Sequence, residues 1–148
     1  MNDIFADREF GEISRRAISE MVAYLLGRGV EFAVLVESAH ADFEPALPDE
    51  IYASFDERVL FVLSGYTLQS ACLDGDRLSF EAGFGAENFG SVVTVPVGAI
   101  RQIYSEGIPV AINSAKMPAS SAADGDSSME ALLSNPENMR LFKKKRNR

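Results

Sequence analysis

The segment RLSFEAGF, residues 77–84, contains the clearest period-2 pattern in the chain. Every second residue of it is apolar, namely Leu78, Phe80, Ala82 and Phe84. Because successive side chains of a β-strand point to opposite faces, this alternation predicts a strand with one apolar face. The preceding DGD, residues 74–76, predicts a tight hairpin turn, since glycine supplies the positive φ that such a turn requires. The chain is therefore expected to contain antiparallel β-structure.

Other short runs rich in apolar and β-branched residues predict additional strands. They cover residues 30–38, the first residues of segment 51–64, Val59–Leu63, 67–73, 91–97 and 108–112. Pro96 is typical of an edge strand or a strand exit, because proline cannot donate to the ladder. Residues 39–50, which contain Pro45 and Pro48, are interpreted as mostly loop, and residues 83–90 as a hairpin loop.

Two segments have helical periodicity. A helix is predicted over Ser14–Leu26, with Ser14 as a cap or first-turn residue and glycines 27 and 29 ending the pattern. A short second helix is predicted over residues 97–107, with Ile100, Ile103 and Tyr104 on its inner face. One helix, five or six antiparallel strands and one short helix favour a small β-sandwich or a partly open barrel.

The C-terminal quarter of the chain has a different composition. Residues 1–112 are expected to form one folded domain, which a chain of 148 residues can support. Residues 113–138 are rich in Ser, Ala, Asp and Pro, which predicts a flexible linker. Residues 139–148 then form a separate terminal motif with an apolar pair, Leu141 and Phe142, ahead of a basic run.

Charge is distributed unevenly between these parts. Residues 137–148 contain six Lys or Arg and one Glu, whereas residues 1–136 contain 8 basic and 21 acidic residues. The body therefore has a net charge of −13, which repels nucleic acid and anionic membranes at long range.

The cysteine content and the hydropathy pattern indicate a cytoplasmic protein. Cys72 is the single cysteine, so no intrachain disulfide can form. No stretch approaches the roughly 18–20 apolar residues of a membrane span. The acidic N-terminal sequence MNDIFADREFGE does not have the pattern of a secretory signal.

No motif in the chain predicts catalysis or a cofactor. His40 could form a metal site with Asp42 and Glu44, but three polar groups in a proline-bounded loop are far more often simply solvated. Cys72 could pair with His40, yet a lone Cys in a strand is more commonly a small core residue. The glycine-rich GFGAENFG, residues 83–90, lacks the Lys-Ser/Thr of a phosphate loop. We therefore expect a protein that is not an enzyme and that binds neither cofactor nor metal.

The predicted sheet offers a different activity, which is peptide binding. Val59–Leu63 and Leu78–Phe84 carry small or flat apolar side chains, and the glycines at 83, 85 and 90 allow another backbone to approach closely. Such a surface can pair with an extended peptide. The alternative is that these residues simply fill the core.

Four segments, taken in order, resemble the SspB family of bacterial proteolysis adaptors. They are YLLGRGVEFAVLVES, DERVLFVLS, DGDRLSFEAGFG and VVTVPVGAIRQIYSEG. Within them the family's F-x-A-x-F-G motif corresponds to residues 80–85, and its V-x-V-P strand end followed by A-x-x-x-I-Y corresponds to residues 93–104. The resemblance covers roughly residues 14–107, whereas the loops 39–50 and 86–90 differ from the family pattern.

The resemblance implies a Sm-like small antiparallel β-fold, with an N-terminal helix that mediates homodimerisation and a flexible tail. It implies a groove for the ssrA degradation tag, which is added to proteins on stalled ribosomes, and a tail motif that docks on the N-terminal domain of the unfoldase ClpX. The groove residues it suggests are Val62, Ser64, Phe80, Ala82, Gly83 and Phe84. The docking residues are Met139, Arg140, Leu141, Phe142 and Lys143, and the dimer seam is Ile18, Met21, Tyr24 and Leu25.

We therefore expect a non-enzymatic adaptor that delivers ssrA-tagged proteins to the ClpXP protease. The alternative is a Sm-like nucleic-acid-associated protein whose basic tail contacts RNA. The net charge of the body disfavours that alternative.

Overall fold

A computed structural model of the chain describes residues 3–117. Their helices and strands all fall within one compact unit, Met1–Ala115. The helices are α1 (Arg8–Arg28), α2 (Asp49–Ala53) and α3 (Gly65–Ser70). The strands are β1 (Phe32–Glu37), β2 (Asp42–Glu44), β3 (Arg58–Leu63), β4 (Cys72–Asp74), β5 (Arg77–Phe84), β6 (Phe89–Pro96), β7 (Ile100–Ser105) and β8 (Ile108–Ile112).

The strands form two antiparallel sheets of four strands each. The first sheet has the order β3-β1-β7-β8 and the second has the order β2-β6-β5-β4. The prediction of antiparallel sheets with an N-terminal helix is confirmed, and the described residues do not close into a barrel. The fold is therefore mixed α/β, with two layers of sheet.

Helix α1 starts six residues before the predicted start at Ser14. The carboxylate of Asp7 accepts a hydrogen bond from the Phe10 N–H at 3.0 Å, so Asp7 is the N-cap. At the other end Gly29 adopts the left-handed conformation, with φ +67°, and its N–H donates to the carbonyls of Leu25 and Leu26. The helix buries one stripe, formed by Ile18, Val22 and Leu25.

The core lies between the inner faces of the two sheets and is rich in aromatic rings. Phe61 on β3 and Phe80 on β5 have ring centroids 5.4 Å apart in an edge-to-face arrangement. Phe43, Phe55 and Phe84 extend this contact at centroid distances near 6 Å. Such aromatic pairs each contribute about 0.5–1.5 kcal/mol beyond their buried area.

The short helix predicted over residues 97–107 is wrong. Residues Val97–Ala99 form a single 3-10 turn, and the rest of the segment forms β7 and the turn after it. Ile100 pairs with Val36 and Ile103 with Val34, because the register of β1 against β7 shifts by one residue between them. Because of this bulge, Ile100 and Ile103 lie on the same buried face although they are three positions apart in sequence. The same spacing is typical of one face of a helix.

Three further segments differ from the sequence predictions. Asp49–Ala53 and Gly65–Ser70 are short helices, where the sequence predicts strands that begin at residues 51 and 67. Asp42–Glu44 form a strand within residues 39–50, which the sequence predicts as mostly loop. Each of these elements has six residues or fewer, so periodicity gave it too few positions to distinguish the two types. The hairpins at residues 74–76 and 83–90 are confirmed by the β4–β5 and β5–β6 pairings.

The end of the folded unit is held by a buried arginine. Arg101 donates through Nη1 to the Ala115 carbonyl at 2.5 Å and through Nη2 to the Gly98 carbonyl at 2.6 Å. The Asn113 amide donates to the carbonyls of Gly98 and Ile100. The packed chain therefore extends to Ala115, while residues 118–148, which include most of the predicted linker and all of the tail motif, lie outside the described part.

Two glycines at the end of α1 give opposite stability predictions. A methyl group on Gly27 meets nothing within 4 Å, so Gly27→Ala should raise the free energy of unfolding by about 0.5–1 kcal/mol. Gly29→Ala should lower it by about 1–2 kcal/mol, because its positive φ strains any Cβ. Urea denaturation measures both values, and equal effects of the two variants would contradict this account of the helix end.

Candidate functional site

An open groove lies on the second sheet. Its volume is about 430 Å³. It spans β2, β6 and β5 and extends to α3, so that residues distant in sequence share it. Its lining consists of Glu44, Pro45, Tyr66, Glu81, Ala82, Gly83, Asn88, Gly90, Ser91 and Val92. We refer to it as the sheet groove.

A pair of glycines forms part of the sheet groove. Gly83 on β5 and Gly90 on β6 are direct cross-strand partners. A Cβ on Gly90 would meet nothing within 4 Å, whereas a Cβ on Gly83 would lie 1.8 Å from Oδ1 of Asn88. The backbone is thus accessible at Gly90 and is covered at Gly83 by the amide of Asn88.

Helix α3 holds the β5 side of the sheet groove. The Tyr66 hydroxyl donates to Oε1 of Glu81 at 2.8 Å, and the Glu81 N–H donates to Oγ of Ser70 at 2.9 Å. The hydrogen bond to Glu81 and the charge of that carboxylate raise the pKa of Tyr66. The Tyr66 hydroxyl therefore connects α3 to the carboxylate of Glu81 on β5.

The other side of the sheet groove is formed by β2 and the residue after it. Ser91 on β6 is buried, and its hydroxyl donates to the Pro45 carbonyl at 2.9 Å. Glu44 on β2 pairs with Val92 on β6, which in turn pairs with Glu81 on β5. Two carboxylate residues therefore flank Val92, with their backbones roughly 10 Å apart across three strands.

The predicted groove residues are divided among different parts of the fold. Ala82 and Gly83 line the sheet groove. Phe80 is 1% exposed in the core, and Phe84 packs in the aromatic cluster. Val62 is exposed on β3 of the first sheet, and Ser64 is the N-cap residue of α3.

Several lining residues were not predicted from the sequence. They are Glu44, Pro45, Tyr66, Glu81, Asn88, Ser91 and Val92. The alternation in residues 77–84 already placed Glu81 on the face opposite Phe80, so it carried the signal for that residue. No comparable signal exists for Tyr66, because the sequence predicts a strand over residues 67–73 and not the helix α3 that carries Tyr66.

The predicted dimer residues on α1 are also divided. Ile18 and Leu25 are 1% and 5% exposed within the single chain. Met21 is half-buried, and Tyr24 is exposed on the surface beside the guanidinium of Arg28. Tyr24 and Met21 are therefore the two predicted dimer residues whose side chains are accessible to a partner.

The residues weighed for metal binding or nucleophilic chemistry do not form a site. His40 lies in the 3-10 turn Ser38–His40, before Asp42 and Glu44 on β2. Cys72 is exposed on β4, at the opposite edge of the sheet from β2. Among residues 3–117, no three His, Cys, Asp or Glu residues come close enough together to hold a metal ion.

No protein-family model and no curated protein matches this chain. Over residues 3–117, no helix has both the length and the apolar character needed to cross a membrane. The geometry of the sheet groove and the residues that line it are consequently the basis for a functional proposal.

His40 makes the stability of the fold sensitive to acid. Burial lowers the pKa of His40 from its ordinary value of 6.5. The charge of Glu37 raises this pKa by a smaller amount, and the charge of Arg101 lowers it further. Because the pKa of His40 is lower in the folded protein, the unfolded chain protonates at a higher pH. The free energy of unfolding is therefore undiminished by His40 above pH 6.5, and it decreases as the pH falls from there through the pKa of His40 in the folded protein. His40→Asn should therefore flatten the dependence of the free energy of unfolding on pH between about 7 and 5. An unchanged slope in urea denaturation would show that His40 does not contribute.

Proposed function

We propose that the chain is a non-enzymatic adaptor that binds ssrA-tagged proteins and tethers them to the ClpXP protease. The observation that carries the proposal is the sheet groove, an open cleft that contains Ala82 and Gly83 of the F-x-A-x-F-G motif. Its volume of about 430 Å³ lies in the range of ligand pockets, roughly 300–1,000 Å³. The exposed backbone at Gly90 suits a peptide main chain.

The remaining parts of the adaptor follow the resemblance to the SspB family. In this proposal the two sheets are a Sm-like arrangement, a homodimer forms through α1 with Tyr24 at its surface, and residues 139–143 dock on ClpX. The protein acts in the cytoplasm without a cofactor. A tether raises the effective concentration of substrate at the protease to about the millimolar range, so delivery requires no further contact.

The acidic surface of the sheet groove disfavours the alternative of RNA binding. Glu44 and Glu81 line it, and no Lys or Arg does. A phosphate backbone entering this cleft would lose its counterions without gaining a cationic partner. Peptide binding is therefore the better assignment for this face.

Binding of an ssrA-tag peptide tests the proposal directly. A fluorescently labelled tag peptide should bind the full chain in an anisotropy titration. Gly90→Ala should weaken that binding about threefold to tenfold, because its methyl group occupies the open backbone position in the groove. Gly27→Ala, a change of the same size on α1, is the control and should bind normally. Absence of tag binding at high protein concentration would overturn the proposal.

Two C-terminal deletions test the tether. Deletion of residues 139–148 should leave tag binding unchanged and abolish the stimulation of ClpXP degradation of a tagged substrate. Deletion of residues 144–148 alone should have a smaller effect, confined mainly to low salt, since exposed charges are screened at higher ionic strength. If the shorter deletion were as damaging as the longer one, the basic run would be the docking element.

A further inference from the structure

We infer that the carboxamide of Asn88 is a ligand-binding group of the sheet groove and forms hydrogen bonds with the N–H and C=O of one residue of an extended peptide. The inference rests on the proposed function in that it takes the groove to be a peptide site. It adds a residue outside the F-x-A-x-F-G motif, which ends at Gly85, and it assigns that residue to the main chain of the ligand.

Asn88 lies in the turn that joins β5 to β6, and it lines the sheet groove. Its N–H donates to the Gly85 carbonyl at 3.0 Å, and its φ is +52°. Asparagine tolerates such a φ because its short polar side chain can hydrogen-bond locally. Within residues 3–117, however, the exposed Asn88 side chain makes no hydrogen bond. Its donors and its acceptor are therefore available to a ligand.

The carboxamide of Asn88 lies directly over Gly83 on β5. A Cβ on Gly83 would lie 1.8 Å from Oδ1 of Asn88 and 2.6 Å from its Cγ, which is closer than real Cβ atoms approach other atoms. Glycine weakens a strand interior, and it commonly marks a place where another group approaches the backbone closely. Here the approaching group is the Asn88 carboxamide, so the absence of a side chain at position 83 is what admits it to the groove.

The open backbone of the groove lies next to this carboxamide. Gly90 on β6 is the cross-strand partner of Gly83, and a Cβ on Gly90 would meet nothing within 4 Å. Because paired strands are about 4.8 Å apart and an extended chain advances about 3.3 Å per residue, two residues of a ligand span the distance between them. A peptide main chain that approaches the sheet at Gly90 therefore also reaches Asn88.

The carboxamide of Asn88 has the hydrogen-bonding groups that an extended main chain requires. An asparagine side chain provides N–H donors on Nδ2 and an acceptor on Oδ1. In an extended chain the N–H and C=O of one residue point to the same side, as they do in an antiparallel pair. Nδ2 can therefore donate to that C=O while Oδ1 accepts from the N–H. This contact is independent of the ligand's side chain at the same position.

A glycine substitution tests Asn88 in the full-length protein without straining the turn. Asn88→Gly removes the carboxamide, and glycine adopts a positive φ at no steric cost. The variant should bind a fluorescently labelled ssrA-tag peptide about fivefold to thirtyfold more weakly in an anisotropy titration, because two hydrogen bonds are lost. Unchanged binding would overturn the inference. Tighter binding would do so as well, because the carboxamide would then be a cover that the ligand displaces.

Glu106→Gly is the matched control for this variant. Glu106 has nearly the same φ, +54°, but it lies in the turn between β7 and β8 and does not line the sheet groove. The control should bind the tag peptide like the unmodified protein. An equal loss in both variants would assign the effect to the glycine in the turn and not to the carboxamide, which would overturn the inference.

A double-mutant cycle with Gly83→Ala tests whether the two positions act together. Alone, Gly83→Ala should weaken tag binding, because its methyl group displaces the Asn88 carboxamide. Added to Asn88→Gly, it should change the dissociation constant by less than about twofold, since the displaced group is already absent. Additive losses from the two substitutions would show that they act independently and would contradict the inference.

Peptides with a single N-methyl group identify the ligand atoms involved. N-methylation removes one main-chain donor, so methylation at one position should weaken binding to the unmodified protein about threefold to tenfold. The same methylated peptide should bind Asn88→Gly as well as its unmethylated form does. If every methylated peptide loses the same affinity for both proteins, Asn88 does not bind the main chain.

A second peptide separates this inference from the proposed function. A short, capped peptide of Gly, Ala and Ser is titrated to about 10 mM against ¹⁵N-labelled protein, with the side-chain NH₂ signals of Asn88 as the readout. If the tag peptide binds equally to the unmodified protein and to Asn88→Gly, the adaptor proposal stands and the role of Asn88 is wrong. If the capped peptide shifts the Asn88 signals and the tag peptide does not bind, the tag assignment is wrong and the role of Asn88 stands. If neither peptide binds, both are wrong.

Discussion

The contact between Phe61 and Phe80 is the interaction on which the rest of this structure depends. It joins β3 of the first sheet to β5 of the second, with ring centroids 5.4 Å apart, and it continues through Phe43 and Phe84. Because side chains alternate along a strand, burying Phe80 directs Glu81 to the outer face. The chemistry of the sheet groove is therefore a consequence of how the aromatic core is packed.

The outer face acquires its shape from elements that pack locally against it. Helix α3 contributes Tyr66 and Ser70, which bond the side chain and the backbone of Glu81. On the opposite side, Ser91 fixes the carbonyl of Pro45 next to Glu44. These bonds hold two carboxylate residues around Val92 and leave the backbone open at Gly90. An acidic cleft with exposed backbone at Gly90 is the basis for proposing an extended peptide, and not a phosphate backbone, as the ligand.

The sequence was informative where one simple period extended over several residues. It predicted α1, although it placed the start at Ser14, because the stabilising cap at Asp7 precedes the apolar stripe. It predicted β1, β3, β5, β6 and β8 for the same reason. It failed at β7, where a bulge brought Ile100 and Ile103 to one face and imitated a helix. It also failed at α2 and α3, which are too short to show a period.

The sequence alone determined the sheet-forming alternation of residues 77–84, the tight turns around them and the contrast between an acidic body and a basic terminal run. It also identified the glycines at 83, 85 and 90 as positions where a peptide backbone could approach, and of these Gly83 and Gly90 line the sheet groove. Only the tertiary structure decided that Phe80 and Phe84 pack in the aromatic cluster of the core, while Glu44, Tyr66 and Glu81 line the sheet groove. The alternation of apolar residues within one strand determines which of its side chains share a face. The residues that contact this face come from other strands and from helices, and their positions depend on the strand order of the folded sheet.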